Sequence, residues 1–317
     1  MASEYMCVSL KIPPVKHLAL FMLLLLPTVA GYMTWEARNV DITVLSIEGA
    51  PQGIVFIADP HVSPSNIDHV REVIDEINRL EPSLVLIGGD FANGGEPDFA
   101  AQTVWSTLEA PVYAVLGNHD YCAGIDGTTG LQKMIAVRTE GNITAAGYDL
   151  RALSDSTTDV GFADELAATL EQNGVNVLRN EYVRLSIDGR GVIIVGVDDG
   201  WAGMADPPVV PRNDDFVLYL IHEPECRADW DADLTLCGHT HGGQFMLPII
   251  QQLNDDGIIE LTGLFTTHGP PTYITRGISS SSLAGVDFRF NCRPEILLIN
   301  PTSEQLAAVE GQVVPSV

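Results

Sequence analysis

From about residue 39 onward, short apolar runs alternate with amphipathic stretches. Residues 53–58 form an apolar run suited to a buried strand. In residues 64–80, Ile67, Val70, Val73, Ile74, Ile77 and Leu80 recur at helical spacing, with Pro64 acceptable in a first turn. Residues 84–87 and 112–116 read as the next two strands, with a helix expected over 98–108 between them. This βαβαβ rhythm predicts an α/β sheet flanked by helices. Residues 122–159, rich in Gly, Thr and Asp, break it and read as a loop-rich insertion over whatever the strands present. Strands are expected again at 182–187, 191–197, 216–221 and 234–237.

The N-terminal part has a different pattern. Residues 17–35 are uncharged, about the length that crosses a hydrocarbon core of roughly 20 residues. Lys11 and Lys16 precede the run and Glu36 and Asp41 follow it. The charge bias places the N-terminus in the cytoplasm and the remainder on the non-cytoplasmic side. Residues 1–38 are therefore expected to be a single membrane anchor, with Thr28-Val29-Ala30 as the cleavage site of a secreted alternative, and 39–317 one catalytic domain.

Composition narrows the function. The chain has 42 acidic and 16 basic residues, a formal charge of -26, which would repel a nucleic acid duplex. Its five cysteines show no CxxC pair of the kind that closes a zinc or redox site, so Cys7, Cys122, Cys226, Cys237 and Cys292 read as small fillers.

Each strand run ends in polar residues: Asp59-Pro60-His61, Gly89-Asp90, Gly117-Asn118-His119-Asp120, His222, and Gly238-His239-Thr240-His241. Ligands of open α/β sheets bind beyond such carboxyl ends. Any one of these histidines reads best as a structural residue; together with Asp59, Asp90 and Asn118 they read as a metal cluster. His17, His69 and His268 need no such role. Imidazoles, carboxylates and an amide suit two Mn, Fe or Zn ions, and a shared carboxylate can bridge a pair that activates water and grips a phosphoryl group.

In order, these motifs resemble the calcineurin-like metallophosphoesterases. The GHTHGGQ sequence at 238–244, Tyr273 to Gly277, and Arg293-Pro294-Glu295-Ile296 resemble their branch of membrane-associated bacterial phosphodiesterases, some of which act on UDP-diacylglucosamine. The resemblance implies two facing mixed sheets flanked by helices. It also implies Asp59, His61 and His241 on a first ion, Asn118, His222 and His239 on a second, and Asp90 bridging. His119 would then serve the leaving group, with Asp120 orienting its imidazole. Arg276, Arg289 and Arg293 are candidates for gripping a phosphate or carboxylate on the substrate, with Arg276, at a strand end on the motif-bearing side, first. The expected activity is hydrolysis of a phosphodiester or pyrophosphate, with a lipid-linked compound as one expected substrate; a phosphomonoesterase and a non-catalytic scaffold are the alternatives.

Overall fold

The computed structural model describes residues 15–96, 98–140, 143–267, 269–280, 286–309 and 313–315; Cys7, Lys11 and His268 lie outside the described residues. Helix α1 (Val15–Glu36) leads into β1 (Asp41–Leu45), β2 (Ile54–Ile57), α2 (Ile67–Arg79), β3 (Leu84–Gly88) and β4 (Val112–Val115). Helices α3 (Gly127–Glu140) and α4 (Val160–Gln172) precede β5 (Val175–Val177), β6 (Glu181–Ile187), β7 (Arg190–Gly196), β8 (Phe216–Leu220) and β9 (Leu234–Cys237). The chain continues through α5 (Pro248–Asp255), β10 (Gly263–Phe265), β11 (Thr272–Ile274), β12 (Glu295–Ile299), α6 (Ser303–Val309) and β13 (Val313–Pro315).

The strands form two mixed sheets, ordered β13-β1-β12-β2-β3-β4-β5 and β10-β11-β9-β8-β7-β6. Strands β2 to β5 are mutually parallel, as are β7, β8, β9 and β11. Alternation along each strand builds the layers. Ile54 and Phe56 of β2 face Leu218, Leu220, Leu234 and Leu236 between the sheets. Val55 and Ile57 face outward onto Val70, Ile74 and Ile77 of α2 and Leu166 and Leu170 of α4. On the outer side of the second sheet, Val217 and Tyr219 join Trp230 and Val137. The expected architecture, two facing mixed sheets flanked by helices, is thus the observed one.

Two expectations change, and a third is not met among the described residues. The helix expected at 98–108 is a 3-10 helix, Ala100–Thr107. Its i and i+3 side chains eclipse, which aligns Gln102 with Trp105: Trp105 Nε1 donates to Gln102 Oε1 at 2.7 Å, and Gln102 Nε2 to the Phe91 carbonyl at 3.1 Å. The loop expected at 122–159 contains α3, a helix of 14 residues. Finally, among the described residues no helix is long and apolar enough to cross a membrane.

The boundary expected at residue 38 also cuts through packed structure. Glu36 and Ala37 are buried. Glu36 Oε1 accepts from the Cys292 amide at 2.7 Å, and the Met33 carbonyl from the Arg289 amide at 3.1 Å. The last turn of α1 therefore belongs to the catalytic body.

Glu295, 1% exposed at the start of β12, joins the two sheets. Its carboxylate accepts from Thr43 of β1 in its own sheet, and from Tyr273 OH of β11 at 2.9 Å and Thr275 Oγ1 at 2.9 Å in the other. Arg276 Nη2 lies 3.3 Å away. Glu295→Ala would leave buried donors and a guanidinium unanswered, so a loss of about 3 kcal/mol or more is expected, read as a lower urea midpoint at unchanged m-value.

Candidate metal centre

The parallel strands bring the polar ends of β2, β3 and β4 to meet those of β8 and β9. The chain there turns sharply: Asp59, His61, Asp90, His239 and His241 all have positive φ, between 42° and 70°. A residue with a Cβ pays of order 1–3 kcal/mol for such a conformation, so a fold keeps it only where surrounding contacts impose it. Gly89 shows how tight the meeting is. With φ at +93°, a Cβ on it would lie 2.7 Å from the Gly117 amide nitrogen and 2.8 Å from His222 Nδ1.

Backbone carbonyls decide which nitrogen each histidine presents. His61 Nδ1 is 3.1 Å from the Ala92 carbonyl, His241 Nδ1 3.0 Å from that of Ser279, and His222 Nδ1 2.6 Å from that of Gly88. A carbonyl only accepts, so each Nδ1 donates and Nε2 is the nitrogen each ring presents to a metal. His61 Nε2 and His241 Nε2 converge at 3.3 Å, with Asp59 completing a compact trio. His222 Nε2, fully buried, lies 3.1 Å from Asp90 Oδ2 without the alignment of a hydrogen bond. Asp90 Oδ2 is also 3.6 Å from His61 Nε2. Its carboxylate thus belongs to two candidate ligand groups, one with His61 and His119, the other with Asp59 and His222.

Charge follows this geometry. Burial lowers the pKa of His61 to about 4, and burial with the neighbouring His61 takes His241 well below its usual range. Burial also lowers His239. All three are neutral near pH 7, as ligation requires. Burial disfavours a charge on His222, but Asp90, Asp59 and Glu223 outweigh it and push its pKa well up. Burial raises the Asp59 carboxyl to about 7, with His222 opposing and Asp90 adding. It acts on Asp90 in the same sense, but His222, His119 and His61 hold Asp90 well below the usual carboxylate range. Asp90 is the carboxylate kept ionised. The pattern is that of a donor set awaiting a cation, and imidazole, carboxylate and amide donors fit divalent first-row metals.

Asn118 Oδ1 lies 3.1 Å from His239 Nδ1, and Asn118 Nδ2 donates to the Ala123 carbonyl at 2.7 Å, which orients the amide. On the far side of that ring, His239 Nε2 is 3.9 Å from Glu225 Oε1, and Trp201 sits edge-on with centroids 4.4 Å apart. His119 lies beside His61, its Nδ1 2.8 Å from the Asn93 carbonyl. Asp120 does not orient that imidazole, contrary to expectation. Its buried carboxylate accepts from the amides of Gly117 at 2.9 Å and Ala92 at 2.8 Å, tying the loop after β4 to the loop after β3.

A cleft of about 280 Å³ opens over Asp90, Asn118, His119, His239 and His241, walled by Ile125, Leu131 and Trp201. A larger groove of about 520 Å³, lined by Tyr113, Asn176 and Tyr182 among others, lies elsewhere and includes none of these ligands. Arg276 is not among the residues lining the cleft. Its guanidinium lies against Asp41 and Glu295, at 3.5 and 3.3 Å.

Sequence reasoning missed one support and gave another a different role. Glu225 was missed; nothing in its local pattern separates it from a surface acid. Arg289, a candidate for gripping substrate, is instead fully buried against carbonyls: Nη1 donates to those of His241 at 3.3 Å and Cys292 at 3.2 Å, and Nη2 to those of Arg276 at 2.7 Å and Ser279. It steadies the Ser279 carbonyl that orients His241.

The calcineurin-like phosphoesterase family model matches residues 53–243. The phosphodiesterase YaeI of Escherichia coli (strain K12) is 30% identical over 264 residues, covering 79% of this chain and 82% of that protein. The uncharacterized metallophosphoesterase YkuE of Bacillus subtilis (strain 168) is 28% identical, covering 84% and 87%. The UDP-2,3-diacylglucosamine pyrophosphatase LpxG of Chlamydia muridarum (strain MoPn / Nigg) is 27% identical, covering 62% and 65%.

Gly89→Ala is expected to displace His222 and Asp90 together, since its methyl needs both an unfavourable φ and space already filled. Elemental analysis of the folded variant should find at least one equivalent of divalent metal fewer than in the wild type; equal content would contradict this account of the crowding.

Proposed function

The chain belongs to the calcineurin-like phosphoesterase family, and from that premise we propose that it hydrolyses a phosphodiester or pyrophosphate at a dinuclear centre, on a lipid-linked substrate. That it is a metal-dependent phosphoester hydrolase follows from the family and from relatives named phosphodiesterase and pyrophosphatase. The finer reading is supported by one observation above all: Asp90 Oδ2 faces both His61 Nε2 and His222 Nε2, so one ionised oxygen serves two sets of lone pairs.

In this reading Asp59, His61 and His241 hold one ion, Asn118, His222 and His239 hold the other, and Asp90 is common to both. When bound, Mn, Fe or Zn supplies Lewis acidity toward phosphoryl oxygens and lowers the pKa of an attacking water. The protein orients the ligands beforehand: carbonyls fix three imidazoles, and Asp120 holds the loop that carries Asn118 and His119. His119 lines the cleft with Nδ1 donating to the Asn93 carbonyl, so its imidazolium form carries at Nε2 the proton given to the departing alkoxide and ends as the neutral Nδ1–H tautomer. A lipid-linked substrate finds its support in the pyrophosphatase relative, named for a diacylated sugar nucleotide. Localisation at a membrane, with the catalytic domain on the non-cytoplasmic side, belongs to the same proposal. Its support is the exposed apolar run from Met22 to Leu26.

The test uses the full chain, stripped of metal and then given Mn, on bis-p-nitrophenyl phosphate. Metal should restore turnover, and Asp90→Asn should lower it at least about 100-fold. A folded, metal-loaded wild type inert toward diesters and pyrophosphates would sink the reading. His119→Ala is expected to cost about 100-fold or more on an alkyl ester, whose leaving group needs a proton, and far less on a p-nitrophenyl ester. Equal losses on both would remove the acid role.

A further inference from the structure

Helix α3 carries apolar side chains on both faces. Toward the protein it turns Lys133, 4% exposed, with Val137 and the partly buried Met134; toward solvent it turns Leu131 and Ile135, 52% and 51% exposed. A helix that only covers a core keeps its outer face polar, because apolar burial on the inner face is what holds it there. The outward stripe is built in. Lys133 Nζ donates to the carbonyls of Leu153 at 2.5 Å and Trp201 at 2.9 Å and pairs with Asp155 at 2.8 Å. These bonds fix the roll of the helix and hold its aliphatic stripe outward.

That stripe runs out of the metal-ligand cleft. Ile125 and Leu131 line the cleft alongside Asn118, His119 and His239. Ile135 follows one turn beyond Leu131, about 6 Å further along the axis. Between the aliphatic side chains and the ligands lie Gly127 and Gly130, which leave bare backbone, and Trp201. On a chain of net charge -26, outward aliphatic residues leading away from the reaction centre serve no evident purpose in folding.

We propose that α3 is a hydrocarbon-binding track: Ile125, Leu131 and Ile135 seat the alkyl or acyl portion of the substrate while its phosphate lies among the metal ligands. This deepens the phosphodiesterase reading and rests on it. The occupant is the substrate's own chain, because the stripe is continuous with the cleft that holds the ligands. The track selects by chain length and apolarity and leaves the chemistry to the ligands and His119.

The experiment uses the full-length, Mn-loaded protein and a series of p-nitrophenyl alkyl phosphates from methyl to octyl, kept below micelle-forming concentrations. Wild-type kcat/KM should rise at least about tenfold from methyl to octyl, mainly through KM. In Leu131→Ser/Ile135→Ser the octyl-to-methyl ratio should fall close to one. Both positions are exposed, so the fold tolerates the change, and circular dichroism checks it. If methyl is hydrolysed but wild type and variant share the same ratio, the track is overturned and the phosphodiesterase reading stands. A wild type inert toward the whole series sinks both. If the double variant alters only self-association in sedimentation, or only binding to phosphatidylcholine vesicles, the stripe serves a second copy or a bilayer and the proposal fails.

Discussion

Asp59 and Asp90 are buried, and their carboxylates meet the imidazoles of His61, His222 and His241. An ionised carboxylate so placed needs a positive partner, because desolvation costs several kcal/mol per ion even after relaxation. Each neighbouring feature answers this. Carbonyl groups hold the imidazoles in the tautomer that can bind a cation, Gly89 lets β3 and β4 end almost in contact, and strained φ angles aim the ligand side chains inward. A bound cation would stabilise this arrangement.

Two sheets are needed to meet it. Asp59, Asp90 and Asn118 come from the ends of parallel strands in one sheet; His222, His239 and His241 come from the other. A slip between the sheets would separate the donors, and the Glu295 cluster that crosses them protects the register of the centre as well as stability. Asp120 works at shorter range, holding two loops of the first sheet together through their amides.

The strands that carry ligands were legible because burial on both faces makes them uniformly apolar, and their polar ends stand out against that background. Residues 234–237 were read with the bounds observed, and 216–221 within a residue. Helix α3 was invisible for the opposite reason. Its buried face carries Lys133 and its exposed face Leu131 and Ile135, so no amphipathic period points to a core. Asp120 and Arg276 were read as acting on neighbouring chemistry, but their partners are backbone amides in one case and distant carboxylates in the other, and local spacing encodes neither. Arg289 reads from the sequence as a candidate for gripping substrate, but its acceptors are carbonyls from four separate positions, which spacing does not encode.

The last turn of α1 grips the segment that supports His241. Glu36 takes the Cys292 amide, the Met33 carbonyl takes that of Arg289, and Tyr32 packs edge-on against Phe290. Arg289 in turn holds the carbonyls of His241 and Ser279. A displacement of the N-terminal helix would therefore reach, through a handful of hydrogen bonds, the carbonyls that flank a single imidazole, and the helix is in that sense a lever arm on the site.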